Sequence, residues 1–281
     1  ALGILVDKYP EIVVPQLVDV LGKYNNVDKT ISILKNIENP EHLVEYVPQI
    51  TKQLKNDYIG TVSSAAIILR RIITTHPDKA LESVRDLLEV YSDSSSAGSQ
   101  IKKTVLEIAK VKPKEIFNLL SNPDSLIMYP NVLRDITLGI PKLFIPLVID
   151  KLKNSENKEV KDEMVRVFLG YVSSTENPSR ELDTLAVQPL IDYLGDSRQG
   201  FNAIDKRQKT ILQALQHAAV DVDYDTIEPA SKILLGLIGT SSVDVELLAS
   251  GILAQIFDKA KEESKSLDKP MNNLVESFKK A

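Results

Sequence analysis

A chain of 281 residues with 43% hydrophobic and 26% charged residues can bury a sizeable core, which excludes wholesale disorder. Its 34 Lys and Arg against 39 Asp and Glu leave a formal charge of -5, which weighs against nucleic acid as the default partner, because phosphate contacts dominate such affinity. The absence of cysteine excludes disulfides, thiolate metal sites and a cysteine nucleophile together and fits a reducing, cytoplasmic compartment, and no apolar run reaches the roughly 18 residues of a membrane span.

Helix period recurs almost everywhere along the chain and strand period almost nowhere. The opening ALGILVDKYP is too short and too acidic for a secretory signal. It reads as the last turns of a helix, with Leu2, Leu5 and Val6 on one side, as though the chain began inside a repeat. IVVPQLVDVLGKYNNVDKTISILKNI predicts a first helix carrying Pro15 and a second with Val27, Ile31 and Leu34 on one face. VEYVPQITKQLKNDYIGTVSSAAIILRRI repeats this with Pro48, then Val62, Ala66, Leu69 and Ile73. HPDKALESVRDLLEVY and SQIKKTVLEIAK make a pair around SDSSSAGSQ, which reads as a mobile connection. PKEIFNLL with YPNVLRDITLGI makes a shorter, irregular pair.

The clearest unit is LFIPLVIDKLKNSENKEVKDEMVRVF. In its second helix Val160, Met164, Val167, Phe168 and Tyr171 form one apolar stripe, opposite Lys158, Lys161, Asp162 and Arg166. Asn154 and Ser155 are read as the residues that stop one helix and start the next, and so short a turn sets the two helices antiparallel. Two further units carry Pro189, then Ile204, Ile211 and Leu215, and Pro229, then Val245, Leu248, Ile252 and Ile256. Residues 261–281 end in Met271, Leu274, Val275 and Phe278 at helical spacing, read as a short amphipathic helix that caps the last repeat or docks into a partner.

Helix pairs at a period in the thirties to forties predict an all-α fold, a right-handed α-solenoid of about seven stacked antiparallel pairs. The expected organisation is one solenoid domain over 1–260 and a polar, capping segment over 261–281. The recurring prolines at 15, 48, 146, 189 and 229 have two readings, an interior kink or a helix start. The unit resembles the HEAT repeat, with armadillo-like repeats close in form, on Pro146, Asn154, Val160 and Lys161, and in part on Pro189 with Asp196 and Pro48 with Val62. Ser63 departs from that pattern where a basic residue is expected.

Catalytic signatures are missing. His42, His76 and His217 lie in different units without metal-ligand spacing, so no metal or cofactor is expected. No phosphate-cradling loop or nucleophile elbow occurs, and GLIG at 236–239 reads as a helix end. The chain lacks the paired His-Glu motifs of a HEAT-like hydroxylase, and the tryptophan and basic charge expected of a HEAT-like glycosylase. Basic residues cluster on the second helices: Lys29 and Lys35, Arg70 and Arg71, Lys102 and Lys103, Lys161 and Arg166, Lys206 and Lys209. The resemblance implies that these helices line a concave face. A non-catalytic scaffold or adaptor that binds a protein or peptide there is the leading expectation, with nucleic acid or phosphate as the alternative partner. The bland reading is that these cations pair with acids on neighbouring turns.

Overall fold

In a computed structural model of the chain, the residues described are 5–6, 8–20, 27–91, 96–129, 131–174, 179–196, 204–220, 222–238 and 241–263. They are helical with short turns, and no strand occurs among them. The chain gathers into two compact units, Ala1–Leu119 and Leu120–Ala281.

The first unit is built from α1 (Pro10–Val20), α2 (Val27–Lys35), α3 (Val47–Lys52), α4 (Ile59–Ile73), α5 (Pro77–Leu81), α6 (Val84–Glu89), α7 (Ser96–Val111) and α8 (Pro113–Leu120). Tight 3-10 turns at Pro40–Tyr46 and Gln53–Lys55 flank α3. α1 packs on α2, α3 on α4, and α5 and α6 on α7, so helix pairs follow the predicted order. The second helices also pack on each other in sequence, α2 against α4 and α4 against α7. α4 is therefore enclosed on most sides, and nine of its fifteen residues are buried. Small residues make the α4–α7 approach possible: Ser64, Ala65 and Ala66 are buried on α4, and Ala97, Thr104 and Ala109 on α7.

The second unit holds α9 (Pro123–Met128), α10 (Val132–Gly139), α11 (Pro141–Asn154), α12 (Lys158–Ser174), α13 (Arg180–Asp196), α14 (Ile204–Ala218), α15 (Tyr224–Ile227), α16 (Ser231–Leu235) and α17 (Val243–Glu262). First helices α11 and α13 pack together, and second helices α10, α12, α14 and α17 pack in that order. The core between the layers is aliphatic with a few aromatics, Phe144, Phe168 and Tyr171 among them. The fold is thus an all-α solenoid of helix pairs. Of the seven predicted pairs, the fourth has its two helices, α8 and α10, in different units.

Polar links show the same period as the helices. Side chains bond across 30 to 45 residues, one repeat length: Arg70 to Gln100, Thr51 to Ser83, Thr104 to the Ala66 carbonyl, Arg207 to Asp162, and Lys209 to Asp244. Each link ties one pair to the next. A repeat with too little apolar surface to stand alone is held by its neighbours.

Both proline positions occur, inside a helix and at a helix start. Pro15, Pro146 and Pro189 lie inside α1, α11 and α13. Pro48 stands in the first turn of α3, and Pro229 in a 3-10 turn before α16. An interior proline takes the donor away from the carbonyl four residues back, which here belongs to Glu11, Lys142 or Leu185, all exposed residues. Water can satisfy those carbonyls, so the prolines are tolerated on this solvated side.

Three local expectations need correction. The residue that starts α12 is Asn157, whose Oδ1 accepts the Val160 N–H at 3.1 Å, while Asn154 closes α11 and donates to Asp150 Oδ1 at 2.8 Å. The stretch read as a loop over 92–100 is helical from Ser96 onward, because Ala97 turns inward and is buried. HPDKALESVRDLLEVY is two short helices rather than one, broken where the Ser83 hydroxyl meets Thr51 Oγ1 at 2.7 Å in the core. The remainder of that loop, Leu2, and the amphipathic stretch at 271–278 lie outside the described residues.

Candidate partner-binding surface

Each basic residue predicted to face a partner sits on a second helix, and the structure separates them by how far their charges are already committed. Lys29, on α2, is exposed, and Lys35 closes that helix half-buried. Arg71 reaches back from α4 to the frayed end of α2. Its Nη1 donates to the Lys35 carbonyl and its Nη2 to those of Ile37 and Glu38. A helix C-terminus leaves such carbonyls without donors, and a guanidinium satisfies them with a favourable charge as well. Arg71 is therefore a clasp between repeats, a role its position beside Arg70 did not reveal. Substituting Arg71 with Met should lower the stability of the chain by about 1–2 kcal/mol, read by urea unfolding; an unchanged midpoint would mean that the clasp contributes nothing.

Arg70 makes one long hydrogen bond, Nη1 to Gln100 Oε1 at 3.3 Å. Lys103 is exposed on α7 one turn further along, beside half-buried Lys102. Arg70, Arg71 and Lys103 border a groove of about 620 Å³ between α4 and α7, which Pro40, Thr74, Glu107 and Val111 also line. Its charge is three cations, Arg70, Arg71 and Lys103, against the Glu107 carboxylate. That carboxylate is in turn held by Lys110 at 2.7 Å. Val111 stands half exposed, at 50%, among these polar groups.

The second unit commits its cations more fully. Arg166 pairs with Glu163 at 2.9 Å and Lys209 with Asp244 at 2.6 Å. Lys161 lies over the Tyr193 ring, 5.3 Å from its centre, a cation–π contact. Lys206 is exposed. A smaller groove of about 150 Å³ between α12 and α14 includes Arg166, Lys206 and Arg207. At its wall, Arg207 grips Asp162 through Nε, at 2.7 and 2.8 Å from the two carboxylate oxygens, and through Nη2 at 2.7 Å. The Tyr193 hydroxyl donates to the same carboxylate at 2.8 Å. Arg207 was not singled out in the sequence, since nothing in its neighbourhood marks a carboxylate 45 residues away.

Burial first, then the Asp162 carboxylate, pushes the Tyr193 phenol well above the usual tyrosine range. A phenol whose folded pKa is raised stabilises the fold fully below its unfolded pKa of about 10, and this contribution is lost as pH rises beyond it. Wild type should therefore lose stability relative to Tyr193→Phe above about pH 10, measured by chemical unfolding from pH 8 upward. A constant difference across that range would remove Tyr193 from the pH response.

Among the described residues no group of three or more His, Cys, Asp or Glu is placed to hold a metal ion. His76 lies 3.5 Å from Glu41 and 3.0 Å from the Thr75 hydroxyl. No described helix is long and apolar enough to cross a membrane.

No family model matches the sequence, and no curated protein matches it. Solved structures do. The chain is similar to an engineered protein crystallised by the Northeast Structural Genomics Consortium, at 19% identity over 99% of this chain and 74% of that one, with a TM-score of 0.45. It is similar to a chain from work on a phosphorylation switch in the interaction between cadherin and beta-catenin, at 14% identity over 91% of this chain and 56% of that one, TM-score 0.43. It is also similar to importin beta, at 15% identity, TM-score 0.35, where 93% of this chain aligns with 34% of the other.

Proposed function

We propose that the chain is a non-catalytic scaffold of HEAT-like repeats that binds a protein or peptide on the exposed face of its second helices. The groove between α4 and α7 carries this reading, because it sets uncommitted cations beside an exposed apolar side chain in a protein whose overall charge is -5. Protein interfaces combine these two features, an apolar centre and charges that select the partner. The lack of cysteine supports a cytoplasmic setting.

The test is capture from native cell extract with the full chain as bait, with and without nuclease. A second bait carries Lys29→Glu, Arg70→Glu, Lys103→Glu and Lys206→Glu. The expected result is a nuclease-resistant protein partner that the charge-reversed bait fails to hold. A partner held equally by both baits would move the binding surface elsewhere. Partners that vanish with nuclease would transfer the same cations to a nucleic acid.

A further inference from the structure

We infer that the α4–α7 groove takes an extended acidic peptide segment, which sets a carboxylate against Arg70 and Lys103 and an apolar side chain against Val111. This deepens the scaffold reading and rests on it. Charge complementarity and the groups already engaged in the groove support it. Arg71 gives its donors to the end of α2, and Glu107 is neutralised by Lys110. Arg70 has one long bond to Gln100, so most of its five N–H groups are open to a ligand. Lys103 is exposed, and no hydrogen bond or ion pair with another described residue engages it. Two cations from neighbouring repeats thus flank one space, and a guanidinium beside an ammonium suits a carboxylate.

The spacing along α7 sets the length of the ligand. Lys103, Glu107 and Val111 occupy successive turns of one helix face, and eight residues of helix rise about 12 Å. An extended chain covers that distance in about three to four residues. The motif is therefore an acidic residue with an apolar residue three or four positions away. A polyphosphate backbone fits less well. It gains affinity with each phosphate neutralised, and here only two cations are open, next to an apolar edge.

The experiment is a selection of displayed random peptides on the full chain, followed by titration of the enriched peptide in synthetic form. Enriched sequences should carry Asp or Glu at this spacing from an apolar residue. Replacing the acids by amides, or making Arg70→Gln with Lys103→Gln in the protein, should weaken binding at least about tenfold. Arg70 is half-buried and bonded to the next repeat, so Lys103→Gln alone is the control for folding: Lys103 is exposed, and this variant should melt with wild type and still weaken binding. Enriched peptides without carboxylates, or binding indifferent to the double variant, would overturn this inference and leave the scaffold reading standing. Failure to enrich any peptide would count against both. A twelve-residue oligothymidylate that binds more tightly than the peptide and is lost in the double variant would assign the groove to phosphate instead.

Discussion

Leu69→Ala should destabilise the first unit by about 2–5 kcal/mol, among the largest effects expected of any single substitution in it. Leu69 is fully buried on α4, the helix that packs against α2, α3, α5 and α7. Truncation removes its methyl groups from a site where fixed helices on several sides prevent collapse, so the cavity term adds to the transfer term. Urea unfolding followed by circular dichroism reads the loss, and hydrogen exchange locates it in α4 and α7. Ile12→Ala is the control, since Ile12 is 63% exposed and a surface truncation should stay within about 0.5 kcal/mol. A Leu69→Ala protein as stable as the Ile12→Ala control would mean that α4 is not the centre of that unit.

Arg207→Ala should lower stability by about 2–3 kcal/mol, because it leaves the Asp162 carboxylate largely shielded from water without its charge partner. The two side chains are 24% and 18% exposed, which places the effect below that of a fully buried pair. The loss comes from the stranded charge rather than from the missing attraction, so Asp162→Asn in the same background should recover part of it. Tyr193 supplies the remaining donor to that carboxylate. Unfolding free energies of the two single variants and the double variant form the cycle that reads this coupling. Additive effects would show that Arg207 and Asp162 do not act together.

The architecture was legible because burial writes itself into sequence at helical spacing. Ile31, Leu34, Leu69, Met164, Phe168 and Leu215 were assigned to inward faces by period alone, and all are buried. The grammar of pairs was equally visible, since each pair needs a polar break between two apolar stripes. Helix ends were less so. Asn154 and Asn157 are the same residue type three positions apart, and only the hydrogen bond to Val160 decides which one starts α12. Proline was ambiguous for a similar reason: an interior position and a helix start share the same flanking residues.

The candidate surface could be read as a set of positions on second helices but not as chemistry. Sequence placed Arg70 and Arg71 side by side as equivalent cations, and both line the groove, yet Arg71 gives its donors to the end of α2 while Arg70 makes one long bond to Gln100. Neighbours on a helix point about 100° apart, so their partners come from different repeats. The same holds for Lys206 and Arg207, of which the second is bound to Asp162. Partners one repeat away leave no local signal, because the period fixes which helices meet and not which side chains on them touch.

Hydrogen exchange of the full chain, alone and with any nuclease-resistant protein it captures, reads where a partner sits. New protection is expected on the second helices, strongest in α4 and α7 around Arg70 and Lys103, with α11 and α13 unchanged. Protection confined to those first helices, with α4 and α7 exchanging as in the free chain, would contradict it.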